Sequence, residues 1–79
     1  MGLIVYSKNN CAECVKVKNQ LKNWNIEFQE VNIDIEMEAR NWIVDQGHRS
    51  APVLYTHDWQ HIPNRDLTKE KLQQIIGGF

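Results

Sequence analysis

Cys11 and Cys14 are the only thiols in this 79-residue chain, and they stand as Cys-Ala-Glu-Cys. Two thiols at that spacing suit either of two chemistries. They can close and open a disulfide with each other, so that one attacks a foreign disulfide and the other resolves the mixed species. Alternatively, they supply half of a zinc site, for which His57 and His61 offer a His-x₃-His spacing and His48 a third imidazole. The stretch between Cys14 and His57 is far longer than the roughly 12–15 residues of a zinc finger, which favours the first chemistry. Structural stapling is a poor third account. A disulfide closing so short a loop stabilises by only about 2 kcal/mol, and it does not persist in a reducing compartment.

A reactive thiol needs a strand to carry it to the edge of the fold and a helix to activate it. Leu3-Ile4-Val5-Tyr6-Ser7 reads as a strand buried on both faces. Lys8-Asn9-Asn10 follows as a polar turn. From Ala12 to Trp24 the apolar residues Cys14, Val17, Leu21 and Trp24 fall on one helical stripe, and Asn25 is a stop. Cys11 therefore lies at a helix N-terminus, where free N–H groups and the macrodipole favour the thiolate, while Cys14 turns towards the core. A Cys-x-x-Cys beside a βαβ pattern is a redox signature for that reason.

The remaining elements are positioned by the same signals. Ile26 to Ile33 reads as a second strand with a register irregularity at Glu30. Asp34 is expected to cap a helix over Ile35 to Gln46, with Ala39, Trp42 and Ile43 inward and Gly47 ending it. Val53-Leu54-Tyr55 forms a third strand, Thr56-His57-Asp58 a turn, and Trp59 to Ile62 a fourth strand in an antiparallel hairpin. Leu67 to Ile76 closes the chain as a helix capped by Asp66 or Thr68 and stopped by Gly77-Gly78. The order βαβ-α-ββα predicts an α/β fold of thioredoxin-like type. It has a four-stranded mixed sheet with helices on both faces, in a single domain over residues 1–79.

Composition excludes several function classes. A net charge of −1 leaves no basic excess for a nucleic-acid backbone. No apolar run approaches the ~18 residues of a membrane span. The N-terminal Met1 to Tyr6 stretch lacks a basic segment and a cleavage site, so the expected location is cytoplasmic. Met1-Gly2 is not a myristoylation site, because Tyr6 stands where Ser or Thr is wanted.

The chain resembles the glutaredoxin family, including its NrdH-redoxin-like members, over nearly its whole length. The resemblance rests on Ile4-Val5-Tyr6-Ser7-Lys8 leading into Cys11-Ala12-Glu13-Cys14, on Phe28-Gln29-Glu30-Val31-Asn32-Ile33-Asp34, and on Arg49-Ser50-Ala51-Pro52-Val53. It implies a cis Pro52 set against the cysteines and an Ala51 backbone that hydrogen-bonds a bound peptide or glutathione. It also implies Lys8 against a glutathione carboxylate and Asp66 against the γ-glutamyl amine. Two features depart from the pattern. Pro63-Asn64 replaces a Gly-Gly pair, adding bulk and removing a backbone donor. Ala12-Glu13 replaces Pro-Tyr and puts a carboxylate beside the reactive sulfur.

What the resemblance implies is dithiol exchange on protein disulfides with no bound cofactor, Cys11 as nucleophile and Cys14 as resolving thiol. Reducing equivalents come from glutathione, or from NADPH through thioredoxin reductase, the NrdH-type donor that the two departures favour. Ribonucleotide reductase is the expected client, and a monomer the default state. Bland readings stand beside these: Lys8 as an ordinary surface lysine, Asp66 as a helix cap, Pro52 as a trans edge-strand proline. Glu13 is a solvated carboxylate or a proton carrier. Trp24 and Trp42 read as core, Trp59 as an edge-strand residue, and the histidines as surface residues with His57 in a turn. The rival function is a non-catalytic module holding zinc or an iron–sulfur cluster through Cys11.

Overall fold

The computed structural model describes residues 3–76. Its strands are β1 (Leu3–Ser7), β2 (Phe28–Asn32), β3 (Val53–Thr56) and β4 (His61–Ile62), and its helices α1 (Ala12–Asn23), α2 (Met37–Asp45) and α3 (Lys69–Ile75). The sheet order is β2-β1-β3-β4, with β1 parallel to β2, β1 antiparallel to β3, and β3 antiparallel to β4. Every residue of β1 is buried, as an unbroken apolar run at the centre of a sheet requires. Its residues alternate between two cores. Leu3 and Val5 join Val17, Leu21, Leu54 and Leu72 under α1 and α3, whereas Ile4 and Tyr6 join Ile43, Val53 and Tyr55 under α2. The fold is thus the thioredoxin-like α/β arrangement that the element order predicts.

Both long helices end in the same backbone device. After α1, Asn25 adopts a left-handed φ of 57°, its N–H donates to the Lys22 carbonyl, and the Ile26 N–H reaches back to the Leu21 carbonyl at 2.9 Å. After α2, Gly47 (φ 93°) and His48 repeat those bonds to Val44 and Ile43. These are Schellman closures, with Asn and Gly at the position that needs positive φ.

Four expectations are corrected. β2 spans Phe28–Asn32, shorter than Ile26 to Ile33, and its pairing with β1 is unbroken from Leu3–Phe28 to Ser7–Asn32, so it has no register irregularity. The apolar pattern breaks at Glu30 because the strand changes the face it buries. Phe28 packs under α1 and α3, while Val31 and Ile33 pack under α2. The second helix starts at Met37 rather than Ile35, and Asp34 does not cap it; its carboxylate accepts from the Asn9 N–H instead. Ile35 consequently stands in a turn and is exposed.

The fourth strand covers only His61–Ile62. Trp59 is left in the hairpin turn with φ 65° and 59% exposure, tied by its N–H to the Thr56 carbonyl. The Thr56 side chain accepts from the Asp58 and Gln60 N–H groups, which draws those residues into the turn. Residues 64–66 form a 3₁₀ turn, and the last helix begins at Lys69, not Leu67. Thr68, not Asp66, is its cap, accepting from the Lys71 N–H at 3.2 Å. The expected Gly77-Gly78 stop lies outside the described residues.

Candidate functional site

β1 delivers the chain to the edge of the sheet at Ser7, and α1 takes it back from Ala12, so the turn between them is short and its last residue must cap the helix. That residue is Cys11, with extended backbone (φ −115°, ψ 101°). Its Sγ accepts the Cys14 N–H at 3.2 Å, one of the donors a helix start leaves free. A sulfur held there is stabilised as thiolate by that bond and by the macrodipole. Cys14 is 1% exposed, on the same buried stripe as Val17 and Leu21. The two cysteines are joined as a disulfide, with their Cα atoms 5.3 Å apart.

The loop from α2 to β3 closes over this helix end. The Schellman closure at Gly47 turns the chain, and the Ala51–Pro52 peptide is cis, the isomer that the family resemblance implies. The Ala51 carbonyl oxygen stands 3.8 Å from Cys11 Sγ. Three cavities lie in this region, one of them lined by both cysteines. One of about 580 Å³ is lined by Lys8, Asn10, Cys11, Cys14, Lys18 and Glu30 among others. A second of about 470 Å³ runs between α1 and the loop, past Glu13, Lys16, Ser50, Ala51, Pro52 and Asn64. A third of about 280 Å³ includes Lys8, Asp34, Arg40, His48, Arg49 and Ala51.

Lys8, Cys11, Cys14, Ala51 and Pro52 are thereby gathered at one place. Asp66 is not among the residues lining these cavities; it sits in the 3₁₀ turn, donating its N–H to the Pro63 carbonyl and accepting the Thr68 N–H. Asn64, half of the pair that replaces Gly-Gly, lines the cavity beside Pro52.

A family model described as glutaredoxin matches residues 3–62. The chain belongs to the glutaredoxin family. This glutaredoxin is 44% identical over 55 residues to the glutaredoxin-like protein NrdH of Lactococcus lactis subsp. cremoris, which covers 70% of this chain and 76% of that one. A crystallised thioredoxin-like protein matches its structure with a TM-score of 0.72 at 31% identity, covering 92% and 97% of the two chains. The glutaredoxin-like NrdH-redoxin of Escherichia coli matches with a TM-score of 0.73 at 25% identity, covering 95% of each.

Sequence reasoning passed over two groups in this glutaredoxin. Glu30 Oε2 accepts from the buried Ser7 hydroxyl at 2.8 Å and from Lys18 Nζ at 2.6 Å. Those two bonds hold the Glu30 carboxyl below its ordinary range against the effect of burial. The i, i+4 spacing of Cys14 and Lys18 was the legible half of that signal; the pairing of β1 with β2, which brings Ser7 to Glu30, was not. The second group is the histidines. His48 is half-buried with its Nε2 2.8 Å from the Tyr55 hydroxyl, and its ring centroid is 4.6 Å from that of His61. His48 is therefore more than the surface residue expected, while His57 is exposed in the turn as expected. Among the described residues no three His, Cys, Asp or Glu side chains are grouped to hold a metal ion, and no helix is long and apolar enough to cross a membrane.

Proposed function

We propose that this glutaredoxin is a thiol–disulfide oxidoreductase that reduces protein disulfides by dithiol exchange. The reading rests on one observation above the others: Cys11 Sγ caps α1 and accepts the Cys14 N–H, with Cys14 buried behind it as its disulfide partner. In the reduced protein the Cys11 thiolate attacks one sulfur of a substrate disulfide and expels the other as a thiolate, which takes up a proton. The Cys14 thiol then loses its proton and attacks Cys11 Sγ. That breaks the mixed disulfide, releases the second substrate thiol and leaves the Cys11–Cys14 disulfide. Two electrons pass to the substrate in each cycle. An extended substrate segment lies beside Pro52 and Ala51, whose carbonyl oxygen is 3.8 Å from Cys11 Sγ. Lys8, which lines the Cys11 cavity, adds positive charge that favours the thiolate.

The donor we propose is NADPH through thioredoxin reductase, with ribonucleotide reductase as client and the cytoplasm as the place of action. The likeness to NrdH proteins supports this, and the NrdH-redoxin of Escherichia coli is described as having a thioredoxin-like activity profile. So does the site: Asn64, half of the pair that replaces two glycines, lines the cavity beside Pro52, and Glu13 borders the same cavity. The experiment is NADPH consumption by the protein with an insulin disulfide substrate. One arm contains thioredoxin reductase, the other glutathione and glutathione reductase. Turnover chiefly in the first arm is expected, and Cys11→Ser abolishes it. Turnover chiefly in the second overturns the donor assignment, and undiminished activity in Cys11→Ser overturns the mechanism.

A further inference from the structure

The turn that presents Cys11 is held from outside by a closed ring of three hydrogen bonds. The Asn9 N–H donates to Asp34 Oδ2 at 2.8 Å, the Asp34 N–H donates to Asn32 Oδ1 at 2.8 Å, and Asn32 Nδ2 donates to Asn9 Oδ1 at 3.0 Å. We infer that Asp34 is a positioning residue for the nucleophile: through Asn9 it fixes the turn that puts Cys11 at the cap of α1. This rests on the proposed role of Cys11.

The turn needs such a tie. Between the last residue of β1 and the cap stand only Lys8, Asn9 and Asn10, all exposed, and Asn10 is held at φ 55°, a region that carries a steric penalty for a residue with a Cβ. No apolar side chain in the turn anchors it to either core. Below it, the Ile33 N–H donates to the Ser7 carbonyl at 2.8 Å, which brings the chain after β2 alongside. Asp34 then reaches across to the Asn9 N–H, two residues before the sulfur. A carboxylate accepting a backbone N–H is a charge-assisted bond, stronger than a neutral one. The same arrangement accounts for the helix α2 that Asp34 leaves without a side-chain cap.

Position and charge make opposite predictions here. Asp34 is an anion close to the turn, so by Coulomb's law alone its removal favours the Cys11 thiolate and speeds its reactions. As an anchor its removal loosens the cap, weakens the Cys14 N–H bond to Cys11 Sγ and slows them. Asp34→Asn separates the two, because it keeps an acceptor oxygen for Asn9 and deletes the charge. Lys8, Lys18 and Glu30, which line the Cys11 cavity, and Glu13, which adjoins it in α1, are unchanged in these variants.

The test is the rate of iodoacetamide alkylation of Cys11 in the reduced full chain across pH 4–9 (a range chosen to bracket depressed and ordinary thiol pKa values), with circular dichroism as a check on folding. Asp34→Ala is expected to move the rate midpoint to higher pH and to slow alkylation at neutral pH about 5-fold, the factor a typical net hydrogen bond carries. Asp34→Asn, which keeps an acceptor but makes only a neutral bond, is expected to slow alkylation less than Asp34→Ala. A wild-type rate for Asp34→Ala, an equal slowing in Asp34→Asn, or acceleration in either variant overturns the assignment. If Asp34→Ala does not fold, Asp34→Asn decides alone: a slowing supports the assignment, and a wild-type or faster rate overturns it. A wild type whose Cys11 is no faster than a free thiol overturns the proposed function, and the assignment with it.

Discussion

On the α1 and α3 face of the sheet the buried side chains are aliphatic (Leu3, Val5, Val17, Leu21, Ile26, Leu54, Ile62 and Leu72), with Trp24 and Phe28 half-buried against them. On the α2 face Ile4, Ile43 and Val53 are buried together with Tyr6 and Tyr55, whose rings belong to an aromatic group. Tyr6 stacks on Trp42 with ring centroids 5.9 Å apart, Tyr55 meets Trp42 edge-on at 5.0 Å, and Trp59 extends the group to the surface at 5.3 Å from Trp42. An aliphatic face contributes through area and fit alone, so its response to substitution is a matter of volume. The aromatic face also carries hydroxyl and imidazole groups that need partners when buried. Burial raises the Tyr6 and Tyr55 hydroxyls above their ordinary range, and burial together with the neighbouring His48 lowers the His61 imidazole. The cysteines belong to a helix packed on the first face, whereas Ala51 and Pro52 arrive on the loop from the second. The site lies where the two faces meet, which separates the nucleophile's support from the substrate side's.

That division can be broken by experiment. Leu72, the fully buried residue of α3, should give the largest loss of stability: Leu72→Ala is expected to destabilise the fold by about 2–5 kcal/mol in urea unfolding, through lost burial and the cavity left behind. Tyr55→Phe deletes the hydroxyl bonded to His48 at 2.8 Å and should cost about 1 kcal/mol, because half-buried His48 can turn to water. If Tyr55→Phe proves the more damaging, the aromatic face carries the fold and the comparison is reversed. The smallest effect is on pH dependence. The His61 pKa is lowered on folding, so its neutral form is stabilising above the ordinary value of 6.5, and that contribution is lost as pH falls from there through the lowered value. Unfolding midpoints should therefore drop slightly between about pH 6.5 and 5, and His61→Gln should flatten that slope. An unchanged slope in His61→Gln would assign it to other groups. No such dependence is expected from the aliphatic face, which has no titrating side chain in its core.

The elements were legible wherever a single local rule decides them. A run of Leu-Ile-Val-Tyr has to be central, a stripe at Cys14, Val17 and Leu21 has to face inward, and Asn25 and Gly47 tolerate the positive φ with which a Schellman closure ends a helix. Boundaries failed where two local options compete. Asp34 is as good a cap as any by type, but a carboxylate can satisfy the Asn9 N–H or the start of α2, and only the packing of β2 beside β1 brings Asn9 within reach. The Glu30 break misled because period-2 reasoning assumes one buried face, and an edge strand covered on both sides need not obey it.

By itself the sequence determined the order of elements, the two cores, and the position of Cys11 at a helix start, because these follow from side-chain type and spacing along the chain. It also carried the resemblance that the family match and the NrdH relatives bear out. What stands beside Cys11 was settled by tertiary structure alone. Lys8 and Ala51 gather at the pair, Asp66 falls in a 3₁₀ turn, and Asn9, Asn32 and Asp34 close a ring. Each of those outcomes depends on strand register and on the angle at which loops meet. Hydrogen-bond geometry is sensitive to a fraction of an ångström, while hydrophobic patterning tolerates far more.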